Sequence, residues 1–289
     1  MLRVSRNVSV GQVHVEQRVL GRVRRAGLPF AVPEPVTTLD GRTVVETAEG
    51  PVTVCRWIDG VRLELADVAM LERFGRAAGL LGNALAEVPL TDVVDDWLGD
   101  PVRVPGVADF GELCDSLRAA GVGAGQTALF LAAAELVGQE WSGNRSVLPR
   151  QVIHGDLGWS NALADPATGR ISAQLDFEFV GSGWRVQDFL AALYNSPALD
   201  APDWPVHVAA FARGYASVCR LEAAEAAALP GLLRARSFGS ALTRAGRWRA
   251  GKAPLEEFTV RISRLRTTTD WLTANGERFQ EIVAAANEH

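Results

Sequence analysis

Basic residues other than arginine are almost missing from this 289-residue chain, because Lys252 is its single lysine. Any role that proteins usually give to lysine must therefore fall to arginine here, although the two side chains are not interchangeable. The formal net charge of −5 at pH 7 leaves no basic excess for binding nucleic acid. We therefore expect no nucleic-acid partner.

Cysteine and long apolar runs are also scarce. Cys55, Cys114 and Cys219 are far apart and form no CxxC pair, which argues against structural zinc and a disulfide framework and favours a reducing cytosol. The most apolar helical run, ALFLAAAELV, is too short to span a membrane, and MLRVSRNVSV lacks the apolar core of a signal peptide. We expect a cytoplasmic protein with no membrane partner.

What is present is an ordinary globular composition. Hydrophobic residues make up 48% of the chain and charged residues 22%, which excludes a disordered protein. The length suits one large domain or two unequal lobes.

The first part of the chain has a strand–helix–hairpin pattern. Leu2 to Val4 is apolar, and Ser9 with Gln12 has the spacing of a capping box that opens a helix. Gly27 and Pro29 end that helix. Two β-rich runs then predict an antiparallel hairpin, namely Thr43 to Thr47 and Val52 to Trp57.

A lobe boundary is predicted at Ile58-Asp59-Gly60, where the strand pattern breaks and no strand is expected to follow for a long way. This divides the chain into a small lobe, 1–58, and a mainly helical lobe, 59–289. Helical periodicity in the second lobe predicts helices over Val68–Leu85, Gln126–Trp141, Phe189–Tyr194, Val206–Cys219, Glu222–Arg236 and Leu255–Asn275.

Polar side chains interrupt the apolar stretch 152–163, VIHGDLGWSNAL, in the middle of the large lobe. His154-Gly155-Asp156 leaves a short strand as a loop, and Asn161 begins a predicted hairpin, 161–164 with 171–177. Its turn has the Pro and Gly that turns prefer. The hairpin brings Asn161, at its start, close to Asp176, at its end.

This arrangement suits phosphoryl transfer. Asp156 stands on a loop where it can accept a proton, and Asn161 and Asp176 offer oxygen ligands of the kind that Mg²⁺ prefers. His154-x-Asp156-x-x-x-x-Asn161 has the spacing of the kinase catalytic loop, and Asp176-Phe177 follows as the metal-binding dipeptide. Glu178 replaces the glycine of that second motif.

The HGDLxxxN motif, the later LDFE, and Trp184-Arg185-x-x-Asp188 together resemble the aminoglycoside phosphotransferase/choline kinase-like family over nearly the whole chain. The resemblance implies a protein-kinase-like α+β fold with a shortened N-terminal β lobe and a large helical C-terminal lobe. It implies that Asp156 is the catalytic base, that His154 steadies the loop, and that Asn161 and Asp176 bind Mg²⁺. Asp188 would open a helix behind the site, where its position suits an N-cap.

The resemblance also implies a nucleotide site for ATP or GTP in the small lobe. Arg3 falls where the family has a phosphate-pairing lysine, and Glu16 falls where its partner lies on the following helix. Cys55, Arg56 and Ile58 fall in the hinge, whose backbone would meet adenine. Only two residues precede Arg3, so the family's first two strands and phosphate-covering loop are missing. We expect a misplaced start, with a truly reduced lobe as the alternative.

The predicted function is ATP- and Mg²⁺-dependent phosphorylation of a hydroxyl on a small polar molecule, such as an aminoglycoside-like antibiotic, an amino-alcohol, an amino acid or a sugar. One alternative is a pseudokinase that binds nucleotide without turnover. A second is a metal-dependent phosphoesterase. The sequence does not indicate an oligomeric state. The arginines Arg234, Arg236, Arg244, Arg247 and Arg249 are interpreted as a solvated helix face, with contact to substrate or phosphate as the minor alternative.

Overall fold

A computed structural model of the chain describes residues 1–5, 8–63, 67–93, 109–144 and 147–288. Its strands are β1 (Leu2–Val4), β2 (Val45–Thr47), β3 (Gly50–Val54), β4 (Val61–Arg62), β5 (Arg150–Ile153), β6 (Ala162–Ala164), β7 (Ile171–Gln174) and β8 (Gly181–Trp184). Its α-helices are α1 (Val10–Val23), α2 (Val68–Ala86), α3 (Phe110–Ala119), α4 (Ala124–Asn144), α5 (Val186–Tyr194), α6 (Trp204–Ala216), α7 (Ala223–Arg249) and α8 (Leu255–Glu288).

The chain folds into two compact units that do not follow the sequence in order. One unit takes Met1–Asp96, Pro149–Leu221 and Ala285–His289, and the other takes Trp97–Leu148 and Glu222–Ala284. The stretch 152–163 and the predicted small lobe both belong to the first unit. The lobe boundary predicted after Ile58 stays a prediction.

The first unit contains three small antiparallel sheets. One has the strand order β1-β3-β2, with Arg3 opposite Thr53. The second has the order β4-β6-β7, and the third pairs β5 with β8. The predicted hairpins are therefore present as β2/β3 and β6/β7.

Helix α1 begins as its sequence indicates. The Ser9 hydroxyl accepts a hydrogen bond from the backbone N–H of Gln12 at 3.2 Å. A short 3₁₀ turn follows the helix, and Gly27 then ends it with φ 68°, in the left-handed region that favours glycine. The apolar face of the helix, including Val13, Val19 and Leu20, is buried.

Three elements were not predicted. Strand β4 directly follows Gly60 and pairs with β6, so the expectation that no strand follows that residue was wrong. Strand β8 has the sequence Gly-Ser-Gly-Trp, which lacks the β-branched residues that indicate strands, yet all four of its residues are buried. Helix α3 is the third, and α7 and α8 are longer than their periodicity indicated.

Helices α2 and α6 cross so closely that glycine is required at the crossing. A Cβ built on Gly75 of α2 would lie 2.0 Å from the carbonyl oxygen of Phe211, and one on Gly214 of α6 would lie 1.9 Å from the carbonyl oxygen of Glu72. A Cβ atom cannot lie so close to a carbonyl oxygen of another helix. The crossing therefore tolerates no side chain at either position.

The second unit is helical, and an aromatic cluster lies in its core. Phe130 packs against Phe110, Phe238 and Phe258 with ring centroids 4.9–5.3 Å apart. Among the described helices of both units, none combines the length and the apolar composition needed to cross a membrane.

Most of the arginine cluster on α7 is engaged within this unit. Arg234 pairs with Glu140 of α4. Arg244 lies 3.1 Å from a carboxylate oxygen of Glu257, and Arg249 lies 2.9 Å from one of Glu112. These arginines thus bind neighbouring helices, which the interpretation as a solvated face had not included.

We predict that Gly75→Ala destabilises the fold by about 1–3 kcal/mol, the usual cost of overpacking. The matched control is Gly82→Ala on the same helix, where the new methyl group would lie 3.7 Å from the Tyr215 hydroxyl, an ordinary contact. The control should gain up to about 1 kcal/mol from helix propensity. Urea unfolding of both variants measures the difference, and equal midpoints would show that the crossing can relax.

Candidate functional site

A buried carboxylate anchors the loop that follows strand β5. One oxygen of Asp188 accepts the backbone N–H of His154 at 2.7 Å, and the other accepts the backbone N–H of Gly155 at 2.9 Å. Asp188 is only 4% exposed, so these charge-assisted bonds lie out of water and are strong. Gly155 has φ 82°, which explains why this position is glycine.

The expectation that Asp188 is the N-cap of its helix was wrong. Helix α5 begins at Val186, Arg185 is its N-cap residue, and Asp188 lies in the first helical turn. Its carboxylate binds the loop from that turn. The side chain therefore holds the loop after strand β5 and does not cap its own helix.

His154 links the loop to the Asp-Phe motif. Its ring is fully buried, its Nε2 lies 3.0 Å from the carbonyl oxygen of Leu175, and its Nδ1 accepts the backbone N–H of Asp156 at 3.3 Å. This pattern requires the neutral ring with its proton on Nε2, because a carbonyl only accepts and an N–H only donates. The ring also packs on Phe177, with centroids 4.6 Å apart.

Asp156 lies at the end of this braced segment and is partly exposed. Its Oδ1 accepts a hydrogen bond from Nδ2 of Asn195 at 3.2 Å. Its backbone carbonyl accepts one from Nδ2 of Asn161 at 3.0 Å. The carboxylate is thus accessible to a small molecule on a loop whose backbone is held from two sides.

Asn161 and Asp176 are brought together by the β6/β7 hairpin, as the sequence predicted. The backbone N–H of Leu175, which precedes Asp176, donates to the carbonyl oxygen of Asn161 at 2.7 Å. Asn161 lies at the end of a 3₁₀ turn, and its amide nitrogen is used on Asp156. That bond leaves the amide oxygen Oδ1 as the atom suited to a cation.

Asp176 has an unusual backbone conformation. Its φ of 63° is the one positive value among the described residues other than glycine. Such conformations occur at functional sites, where surrounding structure imposes them. Its side chain is 44% exposed, which suits a ligand that must reach a bound metal.

The donor set fits Mg²⁺. This ion is usually bound by one or two carboxylates, with waters and substrate phosphates filling its remaining positions. Asp176 and Asn161 supply hard oxygen atoms, as that ion requires. Within the described ranges, no three His, Cys, Asp or Glu side chains form a metal cluster, so a closed all-protein site is not built here.

Arg3 and Glu16 form the ion pair that the resemblance implied. The guanidinium bonds directly to the Glu16 carboxylate, and its Nη1 lies 3.6 Å from Oδ1 of Asp176. Burial raises the pKa of the Glu16 carboxyl, and the Arg3 charge only partly offsets this. Burial opposes the charge of Arg3, but Glu16 and then Asp176 raise its pKa above the ordinary value.

Glu178, at the position where protein kinases have glycine, adds a further carboxylate. Burial and the charge of Asp176 raise the pKa of its carboxyl, and Asp156 contributes in the same direction. Its carboxylate, partly buried beside other acidic side chains, adds to the negative charge of the site. A cation entering the site would relieve this repulsion.

Gln12 does not complete the predicted capping box. Its side-chain amide donates to the carbonyl oxygen of Val180 at 2.7 Å, in the segment just after the Asp-Phe motif. Gln12 is buried, so this hydrogen bond connects the helix that carries Glu16 to the loop that carries Asp176 away from competing water. The sequence spacing indicated the cap but not this tertiary partner.

The hinge residues lie beside the β1/β3 sheet. The backbone N–H of Cys55 donates to the carbonyl of Met1 at 2.8 Å, and its carbonyl accepts from the Met1 amine at 2.6 Å. The N–H of Arg56 donates to the carbonyl of Glu34 at 2.9 Å. Cys55 therefore uses its backbone within the sheet, and the predicted contact of the hinge with adenine stays a prediction. Burial also raises the pKa of the Cys55 thiol, so it is not a reactive thiolate.

Comparison with known proteins places this geometry in a family. The model of the phosphotransferase enzyme family matches residues 1–230. The chain belongs to this family. The resemblance inferred from the HGDLxxxN and LDFE motifs is thereby confirmed.

The similar curated proteins are homoserine kinases. The enzyme of Beijerinckia indica is 29% identical over 221 residues, covering 75% of this chain and 64% of that kinase. The enzyme of Methylobacterium radiotolerans is 31% identical over 245 residues, covering 78% of this chain and 71% of that kinase. This chain therefore spans about two thirds of the length of these relatives.

Solved structures agree on the fold. A microcompartment-associated aminopropanol kinase has a TM-score of 0.69 and 24% identity, covering 96% of this chain and 87% of the kinase. An amicoumacin kinase in complex with AMP-PNP, Ca²⁺ and Ami has a TM-score of 0.66 and 17% identity, covering 92% of this chain and 79% of the kinase. The predicted protein-kinase-like fold class is confirmed, and the predicted class of small-molecule kinase agrees with these relatives.

We predict that Asp188→Asn destabilises the protein by about 1–3 kcal/mol, because the amide group must face one of the two backbone N–H groups and leave a buried donor unpaired. The measurement is urea unfolding monitored by tryptophan fluorescence. The control Asp203→Asn changes a carboxylate that is 61% exposed and should cost little. A stability loss no larger than that of the control would contradict the anchoring role.

Proposed function

We propose that this protein transfers the γ-phosphoryl group of ATP or GTP to a hydroxyl of a small molecule that also carries an amine. The observation that carries this proposal is the placement of Asp156. Its accessible carboxylate lies on a loop braced by Asp188 and His154 and next to the oxygen ligands Asn161 and Asp176. A proton acceptor beside a cation site is what phosphoryl transfer to an alcohol requires.

Asp156 is the proposed catalytic base. It orients the acceptor hydroxyl and takes its proton as the hydroxyl oxygen forms a bond to the γ-phosphorus. The bond from that phosphorus to the bridging oxygen breaks, and the nucleoside diphosphate leaves with the bonding electrons. Positioning of the hydroxyl and neutralisation of phosphate charge supply most of the rate enhancement.

Asn161 and Asp176 are the proposed ligands of Mg²⁺. When bound, the ion neutralises charge on the nucleotide phosphates. Asn161 is held in place through its bond to the Asp156 carbonyl, and Asp176 by its position between the hairpin and Phe177. These restraints keep both ligand oxygens near the carboxylate that handles the proton.

Arg3 is the proposed phosphate-pairing residue, oriented by Glu16. A guanidinium in this role presents a planar fork, whereas a lysine presents a point charge. Of the hinge, Arg56 to Ile58 are the proposed contacts of the nucleotide base, through groups other than the Arg56 N–H, because both backbone groups of Cys55 are used by Met1 and the Arg56 N–H is used by Glu34. Trp57, at 74% exposure, lies in this segment.

The proposed acceptor class follows from the relatives and from the charge of the site. Homoserine, aminopropanol and the aminoglycosides named for the similar kinases each carry a hydroxyl and an amine. Carboxylates at Asp156, Asp176 and Glu178 favour a cationic molecule over an anionic one. A neutral sugar lacks that attraction.

We predict that two variants separate the proposed roles. Asp156→Asn should lower kcat by about 10²–10⁴-fold, the contribution of a general base, while it still binds Mg²⁺ with a nucleotide. Asp176→Asn should weaken Mg²⁺-dependent nucleotide binding as well as turnover. Calorimetry with AMP-PNP and Mg²⁺ measures binding. Release of ADP or GDP with homoserine, aminopropanol, kanamycin or streptomycin measures turnover.

The matched control is Asp165→Asn, at the opposite end of the same hairpin, where the carboxylate only caps its own turn. It should retain activity. Nucleotide binding without turnover on any acceptor would favour the pseudokinase. Release of phosphate from simple esters without an acceptor would favour the phosphoesterase.

A further inference from the structure

Asn195 donates a hydrogen bond to the Asp156 side chain. It follows helix α5 directly, and its Nδ2 donates to Oδ1 of Asp156 at 3.2 Å across 39 residues of sequence. Its own backbone angles, φ −84° and ψ 3°, are unstrained. Neither the motif spacing nor the family resemblance assigned a role to this position.

The two ends of α5 act on the same loop. Asp188, in the first turn, binds the backbone of His154 and Gly155, whereas Asn195, at the end, binds the carboxylate of Asp156. The two residues are seven positions apart, which places them on one face of the helix, about two turns from each other. One rigid element thus sets both the path of the loop and the direction of its carboxylate.

Gly158 leaves room for this contact. A Cβ built on Gly158 would lie 3.2 Å from Cβ of Asn195 and 3.4 Å from its Nδ2. The backbone there has φ −131° and ψ 158°, an extended conformation that any residue can adopt. The position is therefore restricted by the space that Asn195 needs, and not by backbone strain.

We propose that Asn195 is a positioning residue that fixes the carboxylate of Asp156 in the orientation from which it accepts the proton of the acceptor hydroxyl. The proposal rests on the proposed function of Asp156. The amide bond favours one side-chain rotamer of Asp156, and we expect its loss to lower the share of molecules in which the carboxylate faces the substrate. A loss of orientation at a reacting group costs up to about 10²-fold in rate.

The first test compares Asn195→Ala with Asn83→Ala. Asn83 makes the same kind of bond away from the site, from its Nδ2 to the carbonyl of Val218 at 2.8 Å. We expect Asn195→Ala to lower kcat by about 10–100-fold with little change in KM for nucleotide or acceptor. Binding of AMP-PNP with Mg²⁺ should be unchanged. Asn83→Ala should keep the wild-type kcat, and an equal kcat for all three proteins would overturn the proposal.

Asn195→Asp provides an isosteric variant. The carboxylate keeps the size of the amide but cannot donate the bond, and its charge repels Asp156. We expect its kcat to fall at least as far as that of Asn195→Ala. Activity at the wild-type level in this variant would show that shape alone matters and would overturn the proposal.

Gly158→Ala tests the same contact while Asn195 and Asp156 themselves keep their side chains. The methyl group should displace the Asn195 side chain and lower kcat. Because both changes act on one bond, the double variant Gly158→Ala with Asn195→Ala should be no slower than Asn195→Ala alone. Losses that multiply would show that Gly158 acts independently, which contradicts the proposed contact.

A crystal structure of Asn195→Ala gives a readout that needs no turnover. We expect the Asp156 carboxylate to occupy a different rotamer or more than one, and an unmoved carboxylate would overturn the proposal. If the wild-type protein turns over no acceptor, the proposed function fails, and this structure still decides the role of Asn195. If Asp156→Asn loses activity but Asn195→Ala does not, the function stands and the positioning role falls.

Discussion

The pair of hydrogen bonds from the Asp188 carboxylate to the backbone of His154 and Gly155 holds the rest of the site in place. These bonds are buried, so no water molecule is at hand to replace them if they are lost. They fix the exit from strand β5, and that exit determines where Asp156 points. His154 connects this loop to the Asp-Phe segment, because its ring bonds to the Leu175 carbonyl and packs on Phe177. A site made of loops thus acquires the rigidity of a helix and a strand.

The charges of the site suit a cation. Burial and the charge of Asp176 raise the pKa of the Glu178 carboxyl, and Glu16 and Asp156 contribute in the same direction. Arg3 lies near Asp176 but is already bonded to Glu16. A positive ion that enters the site would relieve the repulsion that the Glu178 carboxylate meets there.

Much of this could be predicted from the sequence. The catalytic loop, the Asp-Phe motif and the hairpin that joins them are local patterns, in which spacing and turn chemistry determine geometry. The Arg3–Glu16 pair came from the family resemblance and could not be derived from composition. The contacts of Asp188, Gln12 and Asn195 were missed because each spans 33 or more residues, and no local pattern records such a partner. Strand β8 was missed because burial, and not propensity, stabilises its glycines.

The order in which the chain enters the first unit has a consequence for synthesis. This unit combines three separate segments of the chain, and the Leu221 N–H donates to Oδ1 of Asn287, in the third of them, at 2.9 Å. Arg3 and Glu16 leave the ribosome early. Asp176 follows only after the residues between them have been synthesised, on the order of ten seconds later at ~5–20 residues per second. Until then, the apolar face of helix α1 stays exposed. The contacts that complete this unit therefore join segments that are far apart in sequence, and contacts of that kind slow folding.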